Sequence, residues 1–374
     1  MPEATTTAPL HLMVVVGTRP EAIKLLPVIL EARRRPEAVQ VTIVSTGQHR
    51  EMLDAVFQHF DVRPDVDLAL MKPGQQPGEV LVAAMQALDA VMDTHRPDVV
   101  MVQGDTTTAL AGALAASFRR LRVAHVEAGL RSHDRAFPWP EEDNRRLIAQ
   151  VTDVHFPPTE GAKANLLAEG VAPEACVVTG NTGIDALLQT LTRFPVEASS
   201  KDADTRQLLL TCHRRESFGP PMESICDAVL RLLEEHPELH CTCPVHPNPA
   251  VRAVLETRLG SHPRIRLTAP LDYVRFVQAM AQSDLILSDS GGVQEEAPSL
   301  GSPVLVLRNV TERPEAVDAG VAQLVGTDAE RIYQAATHLL NDAEAYAAMA
   351  RTANPFGDGK ASARILDTLT RLGS

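Results

Sequence analysis

The chain has 374 residues, above the size at which one hydrophobic core stops growing, so about two domains are expected. Its formal charge of −13 excludes a general nucleic-acid binder, which needs a net basic face to displace phosphate counterions; an anionic small ligand needs only a few local cations and helix N-termini. Apolar residues make up 44% of the chain and aromatics only 3%, a composition that suits sheets covered by helices.

Residues 1–10 are polar and Thr-rich, without the basic start and apolar stretch of a signal peptide, and no apolar run approaches membrane-spanning length. A cytoplasmic protein without a membrane partner is the expectation. From there, strand-length apolar runs alternate with helix-period segments almost to the end, the pattern of βαβ units in parallel sheets. Strands are expected at 12–16, 41–45, 99–102, 123–126, 154–156 and 176–178. After a polar-enriched run at 191–206, further strands are expected at 207–211, 239–243, 265–267, 285–288, 304–307 and 322–325. This reads as an α/β chain of two Rossmann-like, doubly wound domains, 1–190 and 191–359, joined by that run. In such sheets a ligand sits beyond the carboxyl ends of the strands, and the polar motifs fall at those ends, which implies a shared active cleft.

The first strand runs into Gly17-Thr18-Arg19-Pro20-Glu21-Ala22-Ile23-Lys24. Gly17 permits a tight turn, Pro20 suits a first helical turn, and Arg19 and Lys24 could reach a phosphate there; as a plain helix start the string has no such duty. It is not a P-loop, because the G-x-x-x-x-G-K-[ST] spacing is absent. Asp105 lies in Gln103-Gly104-Asp105-Thr106-Thr107-Thr108 just after a strand. Glu127 follows the next strand in His125-Val126-Glu127-Ala128-Gly129-Leu130-Arg131. Glu141 opens a helix in Trp139-Pro140-Glu141-Glu142-Asp143-Asn144-Arg145-Arg146. Asp105 and Glu141 also suit helix starts favoured by the dipole, whereas Glu127, between an apolar strand and Ala-Gly, has no obvious capping duty.

In the second half, Thr211-Cys212-His213-Arg214-Arg215-Glu216-Ser217 puts a histidine at a strand end, where it either handles a proton or simply packs. The five cysteines are odd in number and scattered, so no disulfide framework is implied, and the pair Cys241 and Cys243 lacks a second Cys/His pair at zinc spacing. Ser288-Asp289-Ser290-Gly291-Gly292-Val293-Gln294-Glu295-Glu296 is either a capped turn or a phosphate cradle, with Ser290, Gly291 and Gly292 approaching the ligand and Glu296 placed for ribose hydroxyls. Arg313, in Thr311-Glu312-Arg313-Pro314, is either a solvated surface side chain or a bidentate phosphate partner.

Together these strings resemble the non-hydrolysing UDP-N-acetylglucosamine 2-epimerase family, in order and over nearly the whole chain. The shared strings also include Thr46-Gly47-Gln48-His49-Arg50-Glu51-Met52, Gly180-Asn181-Thr182 and Pro244-Val245-His246-Pro247-Asn248-Pro249. The resemblance implies a GT-B-like pair of domains facing a cleft, with the helix at 360–374 returning to the first. It implies reversible conversion of UDP-GlcNAc to UDP-ManNAc by elimination of UDP to a 2-acetamidoglucal and re-addition, without cofactor or metal. Asp105, Glu127, Glu141 and His213 then carry the chemistry, in an order left open. Arg19, Lys24, Ser290, Gly291, Gly292 and Arg313 grip UDP, with Glu296 on the ribose. A homodimer is implied. So is a second, activating UDP-GlcNAc site formed by Gln48, Glu51, Arg214 and His246, although the stretch Met71-Lys72-Pro73-Gly74 lacks an arginine seen in some regulated members. A hydrolysing relative that releases ManNAc, a GT-B glycosyltransferase and an inactive sugar-nucleotide sensor remain competing readings.

Overall fold

The computed structural model describes residues 8–47, 56–72, 74–136, 138–196, 204–214 and 217–373. They divide into two compact units, one spanning 1–186 with 357–374 and the other 187–356.

In the first unit, β1 (Leu10–Val16), β2 (Val39–Ser45), β3 (Val66–Asp67), β4 (Val99–Gln103), β5 (Arg122–Val126) and β6 (Val154–Phe156) form one sheet. Their order is β3-β2-β1-β4-β5-β6, every pair parallel. The apolar runs Val14-Val15-Val16 and Val99-Val100-Met101-Val102 sit at its centre, fully buried because helices cover both faces. The helices include α1 (Arg19–Arg33), α2 (Pro77–His95), α3 (Thr107–Phe118), α4 (Glu141–Val151) and α5 (Glu160–Ala168); α6 (Thr182–Arg193) begins in the first unit and ends in the second. Ala109, Ala113 and Ala116 of α3 pack with Met13, Val15, Val100 and Val102, small residues that let the helix lie close to the sheet.

The second unit repeats the plan. Its strands are β7 (Arg206–Thr211), β8 (Leu239–Pro244), β9 (Ile265–Thr268), β10 (Leu285–Ser288), β11 (Val304–Val306) and β12 (Ala322–Leu324). They lie in the order β12-β11-β10-β7-β8-β9, again all parallel. Counted within its own unit, each sheet has the strand order 3-2-1-4-5-6 of a doubly wound dinucleotide-type fold. Helices α7 (Pro220–Glu235), α8 (Pro249–Leu259), α9 (Tyr273–Gln282), α10 (Gly291–Glu296), α11 (Pro314–Asp318), α12 (Ala329–Asn341) and α13 (Ala343–Arg351) follow these strands. The final helix, α14 (Ala361–Gly373), belongs to the first unit, where the buried Asp185 carboxylate accepts the N–H groups of Ala361 (3.1 Å) and Ser362 (2.8 Å) at its start.

Register is pinned at the strand starts by a recurring device. An aspartate just ahead of one strand takes the backbone N–H of its neighbour: Asp98 from His11 (2.8 Å), Asp65 from Ile43 (2.7 Å), Asp153 from Val123 (2.8 Å) and Asp284 from Gln207 (2.7 Å). Each bond satisfies a donor that the end of the ladder would otherwise leave open.

One expectation needs correction. Residues 176–178 form no strand but a single bridge, Cys176 to His155. The segment donates from Val177 to His155 (2.9 Å) and from Thr179 to Pro157 (3.2 Å), yet Pro157 and Pro158 have no N–H to return, so the ladder is one-sided. The two-residue β3 is too short to leave a periodic signal. The run at 191–206 begins inside the last turn of α6, and its residues 197–203 lie outside those described.

Gly129 has φ +87°, and a Cβ placed on it would meet the Ala162 carbonyl of α5. Gly129→Ala should therefore lower stability by about 2–4 kcal/mol, as left-handed strain adds to a backbone clash; urea unfolding checks this.

Candidate functional site

Where the strand order reverses, between β1 and β4 in the first unit and between β7 and β10 in the second, the connecting loops leave to opposite faces and open a crevice at the carboxyl ends. Most of the chemistry-bearing residues stand on these loops and their neighbours.

In the first unit, Glu127 directly follows β5 with φ +62°, and its N–H and that of Ala128 both reach the Phe156 carbonyl (3.1 and 3.3 Å). This left-handed turn takes the carboxylate out of the line of the strand. Lys24 donates to both of its oxygens at 2.6 Å, and Gln103 donates to Oε2. The ion pair is largely buried, with the side chains 17% and 8% exposed, so solvent screens it weakly.

Asp105, in the loop after β4, accepts from Arg145 through Nε (2.9 Å) and the terminal nitrogen (2.8 Å), while Asn144 donates to its carbonyl (2.8 Å). Arg145 also meets Glu142 at 3.1 Å. Burial alone would raise the Glu142 carboxyl, but the Ser132 N–H, Arg145 and Arg146 outweigh it and hold it below the usual carboxylate range. Glu141 opens α4 beside it, and its Oε2 is buried with no hydrogen-bond partner among the described residues. Arg19 is exposed on the first turn of α1.

In the second unit, His213 follows β7. Its Nδ1 lies 3.1 Å from the Asp289 carboxylate, which is fully buried while the imidazole is 40% exposed. Asp289 also accepts from the N–H groups of His213 and Arg214 (both 2.9 Å) and from the Ser217 hydroxyl (3.0 Å). Burial pushes the Asp289 carboxyl up, but His213 and these donors pull it further down, to below its ordinary value. An acceptor at Nδ1 fixes the tautomer and presents Nε2 outward. Ser290, Gly291 and Gly292 follow β10, and the Arg313 guanidinium lies against Gly291, where a Cβ would stand 3.2 Å from its central carbon. Arg313 is aimed by Glu295 (2.7 Å) and Glu312 (3.2 Å). Glu296, partly exposed, ends α10.

Of the positions assigned by resemblance to a second site, Gln48 and Glu51 lie outside the described residues. Arg214 has a buried Nε with no hydrogen-bond partner among those described, and His246 stacks on His213 with ring centroids 6.0 Å apart. Among the described residues no group of three or more His, Cys, Asp or Glu side chains could hold a metal ion, and no helix is long and apolar enough to cross a membrane. The five cysteines are buried free thiols.

A family model described as UDP-N-acetylglucosamine 2-epimerase matches residues 31–370. The chain belongs to this family. It is 46% identical to the UDP-N-acetylglucosamine 2-epimerase of Bacillus subtilis, covering 96% of this chain and 95% of that one. Among solved structures it is similar to the Neisseria meningitidis UDP-GlcNAc 2-epimerase bound to UDP-GlcNAc, with 42% identity, TM-score 0.88, and 97% and 100% of the two chains covered. It is also similar to the S. aureus MnaA–UDP co-structure, at 43% identity and TM-score 0.86, covering 97% and 96%. The two parallel six-stranded sheets with flanking helices match the GT-B-like structures of the epimerase family.

Several polar residues that hold these groups were not singled out from the sequence: Glu21, Gln103, Arg145 and Asp289. Asp289 had a usable signal. Like Glu127, it is a carboxylate directly after an apolar strand, with no helix of its own to cap.

His125 and His155, register partners on β5 and β6, behave differently from His213. Burial pulls their imidazoles down to about 3 and about 4. The unfolded chain takes up these protons near pH 6.5, so the stability they contribute is full above that pH and is lost as pH falls toward the folded values. Glu21, pushed up by burial to about 6, acts the other way: its contribution is full below about pH 4.5 and is lost as pH rises through 6. Two imidazoles outweigh one carboxyl, so going from pH 7 to 5 should cost on the order of 3 kcal/mol. Urea unfolding at both pH values checks this, and His125→Asn should remove about half of the imidazole contribution.

Proposed function

We propose that this chain interconverts UDP-N-acetylglucosamine and UDP-N-acetylmannosamine without net hydrolysis. The observation that carries the reading is the set of carboxylates at the strand ends of the first unit: Glu127 held by Lys24, Asp105 held by Arg145, and Glu141 with a buried oxygen that has no hydrogen-bond partner among the described residues. Inverting C2 needs one group to take the C2 proton and another to return a proton from the opposite face, and both must be fixed in place. The names of the relatives, the Neisseria structure bound to UDP-GlcNAc and the S. aureus co-structure with UDP support the substrate class.

The reaction runs in two stages. A carboxylate removes the C2 proton, the C1–oxygen bond to the β-phosphate breaks, and its electron pair leaves with UDP as the C1–C2 double bond forms. A second group then protonates C2 on the other face while the UDP oxygen bonds again to C1. Asp105, Glu127 and Glu141 supply the base and the acid. Charge on the departing phosphate falls to His213, Arg313, and the donors of Ser290, Gly291 and Gly292, with Arg19 and Lys24 as further cations and Glu296 on the ribose. Fixed donors where charge develops lower the barrier without reorganising. Asp289 keeps His213 turned so that Nε2 faces outward. The protein works as a homodimer.

UDP-GlcNAc also activates through Gln48, Glu51, Arg214 and His246. The stacking of His246 on His213 gives such a ligand a direct mechanical hold on a catalytic imidazole. Initial rates with UDP-ManNAc alone should rise when a trace of UDP-GlcNAc is added; equal rates would remove the activating site.

Incubation with UDP-GlcNAc in deuterated water, followed by NMR, should give UDP-ManNAc with deuterium at C2. Free ManNAc would mean a hydrolysing enzyme, and absence of both exchange and product would overturn the reaction. Asp105→Asn, Glu127→Gln and Glu141→Gln should each lower kcat by roughly 100- to 10,000-fold while UDP binding, measured by calorimetry, is largely kept.

A further inference from the structure

We propose that Glu21 is a positioning residue: its one carboxylate ties the loop after β1 to the loop after β4, and so fixes Lys24 relative to Asp105. The proposal rests on the reading above of Lys24 and Asp105 as groups that act on the sugar nucleotide.

Glu21 lies in the first turn of α1, three residues ahead of Lys24, and is 1% exposed. Its Oε2 accepts the N–H groups of Gly17 (3.0 Å) and Thr18 (2.6 Å). Its Oε1 accepts the hydroxyl of Thr106 at 2.6 Å, from the loop that bears Asp105. The same hydroxyl accepts the Ala109 N–H at 3.0 Å and thereby caps α3, so its proton points to Glu21 and a lone pair to the helix. A glutamate at this helical position commonly reaches back to cap its own helix start, which accounts for the bonds to Gly17 and Thr18. It does not account for the bond to Thr106, 85 residues away in sequence.

Behind this tie the loop after β1 also touches the first turn of α3. A Cβ on Gly17 would collide with the Thr108 side chain, whose hydroxyl in turn meets that of Thr46 at 3.1 Å. The charged groups on the surrounding segments are Arg19 and Lys24 on α1, Asp105 after β4 and Glu127 after β5, yet the bonds that hold Glu21 come from neutral donors. Burial raises its carboxyl to about 6, so an ionised Glu21 costs stability at neutral pH. A group retained at that cost is better explained by what it positions than by what it stabilises.

Two substitutions separate span from charge. Glu21→Gln keeps the length and can bond both loops; Glu21→Asp keeps the charge but is one methylene too short to reach both. Epimerisation by Glu21→Gln should stay within about 5-fold of the parent, while Glu21→Asp should lose roughly 100-fold in kcat with KM little changed, the scale expected for a displacement of about 1 Å. Amide exchange at Gly17 and Thr18 reads the tie without substrate, and should be faster in the Asp variant than in the Gln variant. If the Asp variant does not fold, Thr106→Val cuts the tie from the other loop and should show the same loss of kcat. An Asp variant as active as the Gln variant, or equal exchange in the two, overturns the proposal. A parent protein that leaves UDP-GlcNAc unchanged overturns the functional reading instead, and the exchange measurement still decides the tie.

Discussion

A parallel sheet whose strand order reverses at its middle cannot send its two central loops the same way. One connection must wind over each face, and the ends of the two central strands are left with space between their departing chains. Both units obey this constraint, and what the protein does depends on it. In the first unit the reversal sets Gly17 to Lys24 beside Asp105; in the second it sets His213 beside Ser290 and Gly291. Residues more than 70 positions apart in sequence, such as His213 and Asp289, become hydrogen-bond partners because the chain has no other way to close the sheet.

Within each crevice the reactive groups are held rather than merely present. Glu127 is gripped by Lys24 and Gln103, Asp105 by Arg145, and His213 by Asp289. The backbone shares in this. Glu127 adopts a left-handed conformation, for which a non-glycine residue gives up stability. The ion pair with Lys24 and the two bonds to the Phe156 carbonyl over-determine that geometry, so the strain is fixed in the folded state instead of relaxed.

The sheet-forming runs were legible in the sequence wherever a strand was central and buried on both faces. Val14-Val15-Val16 and Leu285-Ile286-Leu287 leave no choice of face, and their period cannot be mistaken. Legibility failed at the edges. Residues 176–178 have the composition of a strand but lie beside prolines that cannot return a hydrogen bond, and β3 is held by register to β2 rather than by any pattern of its own. In the candidate site, Asp105, Glu127, Glu141 and His213 stood out because each follows a strand or opens a helix. Apart from Lys24, their partners were not singled out. Arg145 sits inside a helix among other charges, and Gln103 closes a strand as an ordinary polar residue. Glu21 passes for a helix-start residue until Thr106 is seen against it. Sequence position singles out the candidate groups; only the folded chain reveals which groups hold them.

The aspartates that pin the strand starts have a further consequence. Asp98, Asp153 and Asp284 fix alignment at the amino edges of the sheets, while every residue proposed for chemistry stands at or beyond the carboxyl edges. Alignment and reactivity are therefore written into opposite rims of the same layer. Loops on the reactive rim can lengthen, shorten or exchange side chains without loosening the register that carries them, and a scaffold divided in this way is free to change its substrate while keeping its frame.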